Sequence, residues 1–210
     1  RSDNPFAGEF RQLSQELRYI HQGEKFDWVA GLYAEKSEAD RLYGAYSRYD
    51  LGEMRLASRG KTETTSVSAF LDGTWHLDDR LSLFGGLRIG RDRKSFDYTF
   101  EADSIAQAFG LAAAFQPSFS DDLAETYATP RAGISYRVTP DTLLWASVSR
   151  GYKSGGFNAG FVGLGDAGHY DSEDLTAWEL GLRSSTPDGR LEINGALFLN
   201  DWKNQQVQGF

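Results

Sequence analysis

Apolar and polar residues alternate with period two along most of the chain, and this alternation predicts strands whose successive side chains point to opposite faces. Between residues 9 and 20, Leu13, Leu17 and Tyr19 share one face, and Gln12, Glu16 and Arg18 share the other. Residues 26–36 group Phe26, Trp28, Ala30 and Leu32. Residues 62–77 set Val67, Ala69, Leu71 and Trp75 against Ser66, Ser68, Asp72 and Thr74. Leu83, Leu87 and Ile89 oppose Ser82, Arg88 and Asp92 in 81–92, and the same pattern recurs in 131–138, 177–184 and 190–200. Residues 142–152 are less regular, because Arg150 shares a face with Leu144, Ala146 and Val148. Eight strands are expected.

The connections alternate in length. Gln22-Gly23-Glu24, Asp78-Asp79, Thr139-Pro140-Asp141 and Pro187-Asp188-Gly189 are short and rich in residues that close hairpins. Between them lie long polar stretches at 37–60, 99–123 and 154–173. Short turns at one end and long loops at the other are the arrangement of an outer-membrane barrel, with turns in the periplasm and loops outside. The fold expected is therefore all-β: an antiparallel transmembrane β-barrel. Trp28 and Trp75 near short turns, with Tyr152 and Trp202 toward long loops, are read as interface girdles.

Composition narrows the partners. No run reaches the roughly 20 apolar residues of a spanning helix, and mean hydropathy is -0.49, yet a barrel strand shows lipid only every second residue. Charged residues opposite nearly every apolar face suit a wet lumen better than a small packed core. The net charge of -8 and the scattered basic residues argue against nucleic acid. There is no cysteine, hence no thiolate metal site or cysteine nucleophile.

Little in the chain carries catalysis. His21, His76 and His169 lie in different segments without metal-ligand spacing, and the first two read as solvated residues beside turns. Glu173-Asp174 and Asp78-Asp79 are adjacent pairs, which a strand points apart and a turn exposes. Residues 105–115 are unusually apolar, and are expected to form a small helix packed under the loops ahead of a patch for an apolar ligand. No catalytic residue, metal ligand or resident cofactor is expected.

The segment Val148-Ser149-Arg150-Gly151-Tyr152-Lys153-Ser154-Gly155-Gly156-Phe157-Asn158 resembles the signature stretch of TonB-dependent outer-membrane receptors of the ferric-siderophore type. Tyr170-Asp171-Ser172-Glu173-Asp174-Leu175, followed by Trp178-Glu179-Leu180-Gly181-Leu182-Arg183-Ser184, resembles the strand that follows it in that family. Likeness continues through Leu191–Val207 and upstream through Gln15–Arg18, Trp28–Tyr33 and Leu83–Arg88. The resemblance implies a 22-stranded barrel around a plug domain, importing a ferric siderophore or comparable scarce nutrient with energy from TonB. Residues 1–210 are then eight strands of one barrel domain, with the plug, the energy-coupling box and the remaining strands absent. Phe210 is read as a coincidental, not a terminal, aromatic.

Within that reading, Arg150, Tyr152, Lys153, Phe157 and Asn158 are the candidate ligand-binding or loop-base residues, with a girdle role favoured for Tyr152. The implied partners are outer-membrane lipid, the TonB complex and a small-molecule ligand. The implied location is the outer membrane of a Gram-negative bacterium. Two rivals stay open: a passive pore or small structural or adhesive barrel, since eight strands can close on packed side chains, and a soluble carbohydrate-binding module or hydrolase.

Overall fold

A computed structural model describes residues 2–3, 5–49, 52–165 and 168–207, and Phe210 lies outside them. The eight expected strands are present and longer than the pattern indicated. They are β2 (Phe6–His21), β3 (Phe26–Tyr49), β4 (Gly52–His76), β5 (Leu81–Ala102), β6 (Phe119–Thr139), β7 (Thr142–Lys153), β10 (Glu173–Ser185) and β11 (Glu192–Lys203). The two-residue strand β1 (Ser2–Asp3) pairs with β3, and β8 (Gly156–Phe157) pairs with β9 (His169–Tyr170) inside one loop. Every pairing is antiparallel, and the main sheet runs β3-β4-β5-β6-β7-β10-β11 with β2 beside β3. A meander of this kind needs only hairpin connections.

Register divides each strand into two zones. On one face, Leu81, Leu83, Leu87 and Ile89 of β5 stand level with Leu71 and Ala69 of β4 and with Ala128 and Ile134 of β6. The same face carries Leu32 and Ala34 on β3, Leu144 and Val148 on β7, Trp178 and Leu180 on β10, and Leu197 and Leu199 on β11. Most of these large side chains are exposed. Together they form a continuous apolar belt, and the stretch Leu81–Ile89 matches the roughly 9–11 residues a tilted strand needs to cross a bilayer.

Above the belt the same face turns abruptly polar. On β5 it continues as Arg91, Arg93, Ser95 and Asp97, and on β4 as Thr65, Glu63, Lys61 and Arg59. The strands nevertheless keep pairing: β3 and β4 stay in register up to Tyr49↔Gly52. At about 3.3 Å per residue, Arg91–Ala102 continues for some 40 Å along the strand beyond the belt. The stretch 37–60, read from sequence as a loop, is therefore a strand hairpin, whereas 99–123 holds the ends of β5 and β6 (99–102 and 119–123) joined by a helical cap and a short coil. Outside the bilayer both faces meet water, so the outward positions need not be apolar and the alternation that marks a strand disappears.

The helical cap bears out the reading of 105–115. Helix α1 (Ser104–Ala108) is capped by Asp103, whose Oδ1 accepts from the Ala106 amide at 2.8 Å, and a 3-10 turn follows at Leu111–Ala114. Ala106 is fully buried. At the opposite end, Asp78 closes its turn by accepting from the Arg80 and Leu81 amides.

The inner face is polar and aromatic. Tyr127 lies over Gly90, its cross-strand partner, where an added Cβ would come within 2.4 Å of the ring. Phe70, Phe84 and Trp145 cover Gly31, Gly133 and Gly181 in the same way. Bare backbone on one strand gives a large ring on the next strand a surface to lie on.

Candidate functional site

The loop after β7 does not project outward. It turns in and packs on the inner wall of the hairpins above the belt. Phe157 is buried and stacks on Phe96 of β5, with ring centres 4.8 Å apart and planes within 5°. Tyr98, Ala159 and Val162 complete this buried cluster, and Tyr43, Phe119 and Leu123 flank it. Beyond it, the Gln116 amide donates to the Val162 carbonyl at 2.8 Å and the Leu164 amide to the Ala114 carbonyl at 2.9 Å. The loop is thus sewn to the connection between β5 and β6.

Glu125 on β6 pins the loop base. Its Oε2 accepts from the Tyr152 hydroxyl at 2.9 Å, the Gly155 amide at 2.9 Å and the Ser154 hydroxyl at 3.3 Å. Burial pushes this carboxyl up, but the hydrogen bonds from Ser172, Tyr152, Gly155 and Ser154 outweigh it and hold the group below its ordinary value. Lys94 on β5 donates to the Gly155 carbonyl from the other side. Burial lowers the Lys94 ammonium, partly offset by Asp92 and Glu125.

Beneath this clamp the inner wall holds a cavity of about 550 Å³, lined by Tyr33, Glu35, Ser66, Arg88, Asp92, Tyr127, Thr129, Tyr152 and Ser154. Arg88 lies over the Tyr33 ring at 5.2 Å, and its Nε is buried with no partner among the described residues. Tyr152 and Tyr127 stack with centres 4.3 Å apart. Cations, carboxylates and stacked phenols here offer hydrogen bonds and π faces. No metal-binding group of three or more acidic, His or Cys side chains occurs among the described residues. A larger hollow, about 850 Å³ and lined by Trp28, Leu71, Trp75 and Leu87, lies on the apolar belt and belongs to the outer face.

The five candidate residues separate. Tyr152 faces the cavity and is not a girdle residue. The β6–β7 ladder stops at Arg131↔Ser149, which frees the end of β7 to turn the ring inward. Arg150 pairs with Asp174, Nη2 to Oδ2 at 2.8 Å, just above the belt on the outer face. Lys153 is exposed, 3.8 Å from the buried Glu173 carboxylate. Phe157 is withdrawn into the aromatic cluster. Asn158 is exposed, and its amide donates to the Gly168 carbonyl at 3.1 Å.

Other expectations shift as well. Trp202 stands opposite Leu175, in register with the inner face, so it is not part of an outer girdle. His76 is not merely solvated: its ring nitrogens meet Asp27 at 2.9 Å and Ser82 at 3.0 Å. Arg88 and Asp92 were legible from sequence as the polar face of their strand, but Glu125, Lys94 and Tyr127 carry no such mark. The spacing Leu123, Glu125, Tyr127, Thr129 between Ala124, Thr126 and Ala128 is the signal that could have shown an inward face there.

Residues 2–210 match the family model described as TonB dependent receptor-like, beta-barrel. The pesticin receptor of Yersinia pestis is 32% identical over 201 residues, covering 94% of this chain and 28% of the relative. The chain thus spans less than a third of the curated relatives it matches. Among solved structures, the ferric yersiniabactin uptake receptor FyuA from Yersinia pestis superposes with a TM-score of 0.81 at 24% identity, covering 99% of this chain and 31% of that one. The siderophore receptor PiuA from Acinetobacter baumannii gives a TM-score of 0.68 at 15% identity, over 92% of this chain and 32% of that one. Its relatives are receptors rather than enzymes. The chain belongs to the TonB-dependent receptor β-barrel family, and its place is the outer membrane of a Gram-negative bacterium.

Proposed function

We propose that this chain forms one side of the barrel of a receptor that imports a ferric siderophore or a comparable scarce chelate, with energy coupled through TonB. The observation that carries the reading is an open arc of wall. Among the described residues, strands β2 and β11 end the sheet without pairing to each other, and these open edges support an arc of a wider wall with the polar inner cavity on its lumen side. That also weighs against the small closed barrel. The names of the relatives, a pesticin receptor and a ferric yersiniabactin uptake receptor, support the transport class.

In this reading Tyr152 contacts the ligand or lines its path, beside Arg88, Asp92 and Tyr127. Lys153 and Asn158 offer a charge and an amide at the loop surface. Arg150 and Phe157 act through the loop base, one by its ion pair and the other by its stack. The test is uptake of radioactive iron, supplied as a panel of ferric siderophores, into cells expressing the full-length receptor. Accumulation that requires both the receptor and TonB supports the proposal. Accumulation independent of TonB would return the reading to a passive pore.

A further inference from the structure

The ladder between β10 and β11 ends at Asp174↔Lys203. The next residue, Asn204, takes a left-handed φ of 53°, a conformation that asparagine tolerates better than most residues. Two residues on, Gln206 lies over the start of β10, where its backbone amide donates to Glu173 Oε2 at 2.8 Å. Gln206 is half-buried, whereas Asn204, Gln205 and Val207 around it are exposed.

The Gln206 carboxamide bridges the two legs of the loop after β7. Its Nε2 donates to the Ser154 carbonyl at 3.2 Å and to the Asp171 carbonyl at 3.0 Å. Ser154 opens that loop and Asp171 closes it. The legs meet at this neck: Gly156 pairs with Tyr170, and a Cβ at Gly155 would lie 2.6 Å from the Tyr170 carbonyl oxygen. Glu125 grips the same neck from β6, through Ser154 and Gly155 on one leg and Ser172 on the other. The loop is thus stapled from two sides, once by a wall strand and once by the chain that follows β11.

We infer that Gln206 is a positioning residue of the import site: its carboxamide fixes the neck of this loop and so sets Tyr152 and Ser154 over the cavity they line. An amide –NH2 has two hydrogens directed apart, which is what two carbonyls on different segments require, and a carboxylate of the same length has none. Glu173, buried beneath, anchors the stapling residue through its backbone, with Lys153 at 3.8 Å from the same oxygen. The positioning role rests on the receptor reading above, whereas the staple itself can be tested without a ligand.

The test uses the full-length receptor and has two readouts. In Gln206→Ala, amide hydrogen exchange without ligand should speed up about tenfold at residues 154–157 and 169–172, the worth of two neutral hydrogen bonds, and stay unchanged across Leu81–Ile89. Initial uptake of each radioactive ferric siderophore of the same panel, followed against concentration, should show a half-saturation concentration raised about five- to tenfold at an unchanged maximal rate. Gln206→Glu, which keeps the length and removes both donors, should match Gln206→Ala. Gln206→Lys, whose ammonium can donate to both carbonyls, should restore most of both readouts, and Gln205→Ala should leave both at the parent's values. Unchanged exchange in Gln206→Ala would overturn the staple. Faster exchange with an unchanged half-saturation concentration, or equal behaviour of Gln206→Lys and Gln206→Glu, would overturn the positioning role. If no siderophore of the panel enters cells expressing the parent, the import reading fails and the exchange readout still decides the staple.

Discussion

Arg131 on β6 and Asp72 on β4 form a two-pronged ion pair, with Nε–Oδ2 at 2.5 Å and Nη2–Oδ1 at 2.6 Å, although β5 runs between their strands. The pair crosses Gly86, which stands in register with both. A Cβ at Gly86 would lie 2.1 Å from the Asp72 Oδ2. The missing side chain is what lets the two charges meet on the inner face.

A double-mutant cycle on Asp72→Asn and Arg131→Gln should give a coupling of about 0.5–1 kcal/mol, because both groups border a wet lumen where a pair is worth little. The measurement is urea unfolding of the refolded full-length receptor in lipid vesicles. In a Gly86→Val background the coupling should fall close to zero. A coupling that survives Gly86→Val would mean that the pair does not depend on the gap.

The belt boundary can be read by placing one charge at two heights on the same face of β5. Leu87→Arg, at mid-belt opposite Leu71, should destabilise the barrel by about 2–4 kcal/mol. Ser95→Arg, beyond the boundary, should change stability by less than about 0.5 kcal/mol. Matching losses at the two positions would place the membrane edge elsewhere.

Phe157→Ala removes one ring of the Phe96 stack and empties a buried site. The loss should be about 3 kcal/mol, taken mainly from loop docking and not from the membrane strands. Amide hydrogen exchange should speed up across residues 155–164 and stay unchanged across Leu81–Ile89. Uniform acceleration of both segments would show that the loop is part of one cooperative unit with the wall.

Acid should release the same loop. Glu125 has a carboxyl held below its ordinary value of 4.5, so its contribution is fully present above 4.5 and is lost as pH falls through the lowered folded value. Protonation costs the carboxylate acceptor that holds Tyr152, Ser154 and Gly155. Exchange at Gly155 and Gly156 should therefore rise on acidification below 4.5, and Glu125→Gln should show the raised rate already at neutral pH. A variant whose loop exchange at neutral pH equals that of the parent would remove Glu125 from the clamp.

Glu53 behaves likewise at the hairpin tip. Hydrogen bonds from Arg48 and then Arg55, with their charges, bring its carboxyl down to about 2. Being fully solvated, this cluster should respond to salt more than to moderate acid, and exchange near Glu53 should rise between low and molar salt with little change from pH 7 to pH 4.

Within the bilayer, each strand must show hydrocarbon on one side and water on the other, and a period of two is the direct trace of that demand. That is why Leu83, Leu87 and Ile89, Val67 to Trp75, and Trp178 to Leu182 were legible as lipid-facing strands, and why the count of eight and the four short turns hold. The signature around Arg150–Asn158 marked the loop that roofs the cavity. The apolar run at 105–115 was legible because Ala106 needs cover.

What only the tertiary structure decided lies where one-dimensional pattern carries no penalty for error. Above the belt, water on both faces erases the alternation, so ladder pairing alone reveals that 37–60 is a hairpin. Which way Tyr152 turns follows from where the β6–β7 ladder ends. Phe157 is buried because Phe96 on β5, far earlier in the chain, presents a ring to stack on. Glu125, Lys94 and the Arg131–Asp72 pair join residues far apart in the chain, and the physical cause of each is a neighbour that the local sequence does not contain.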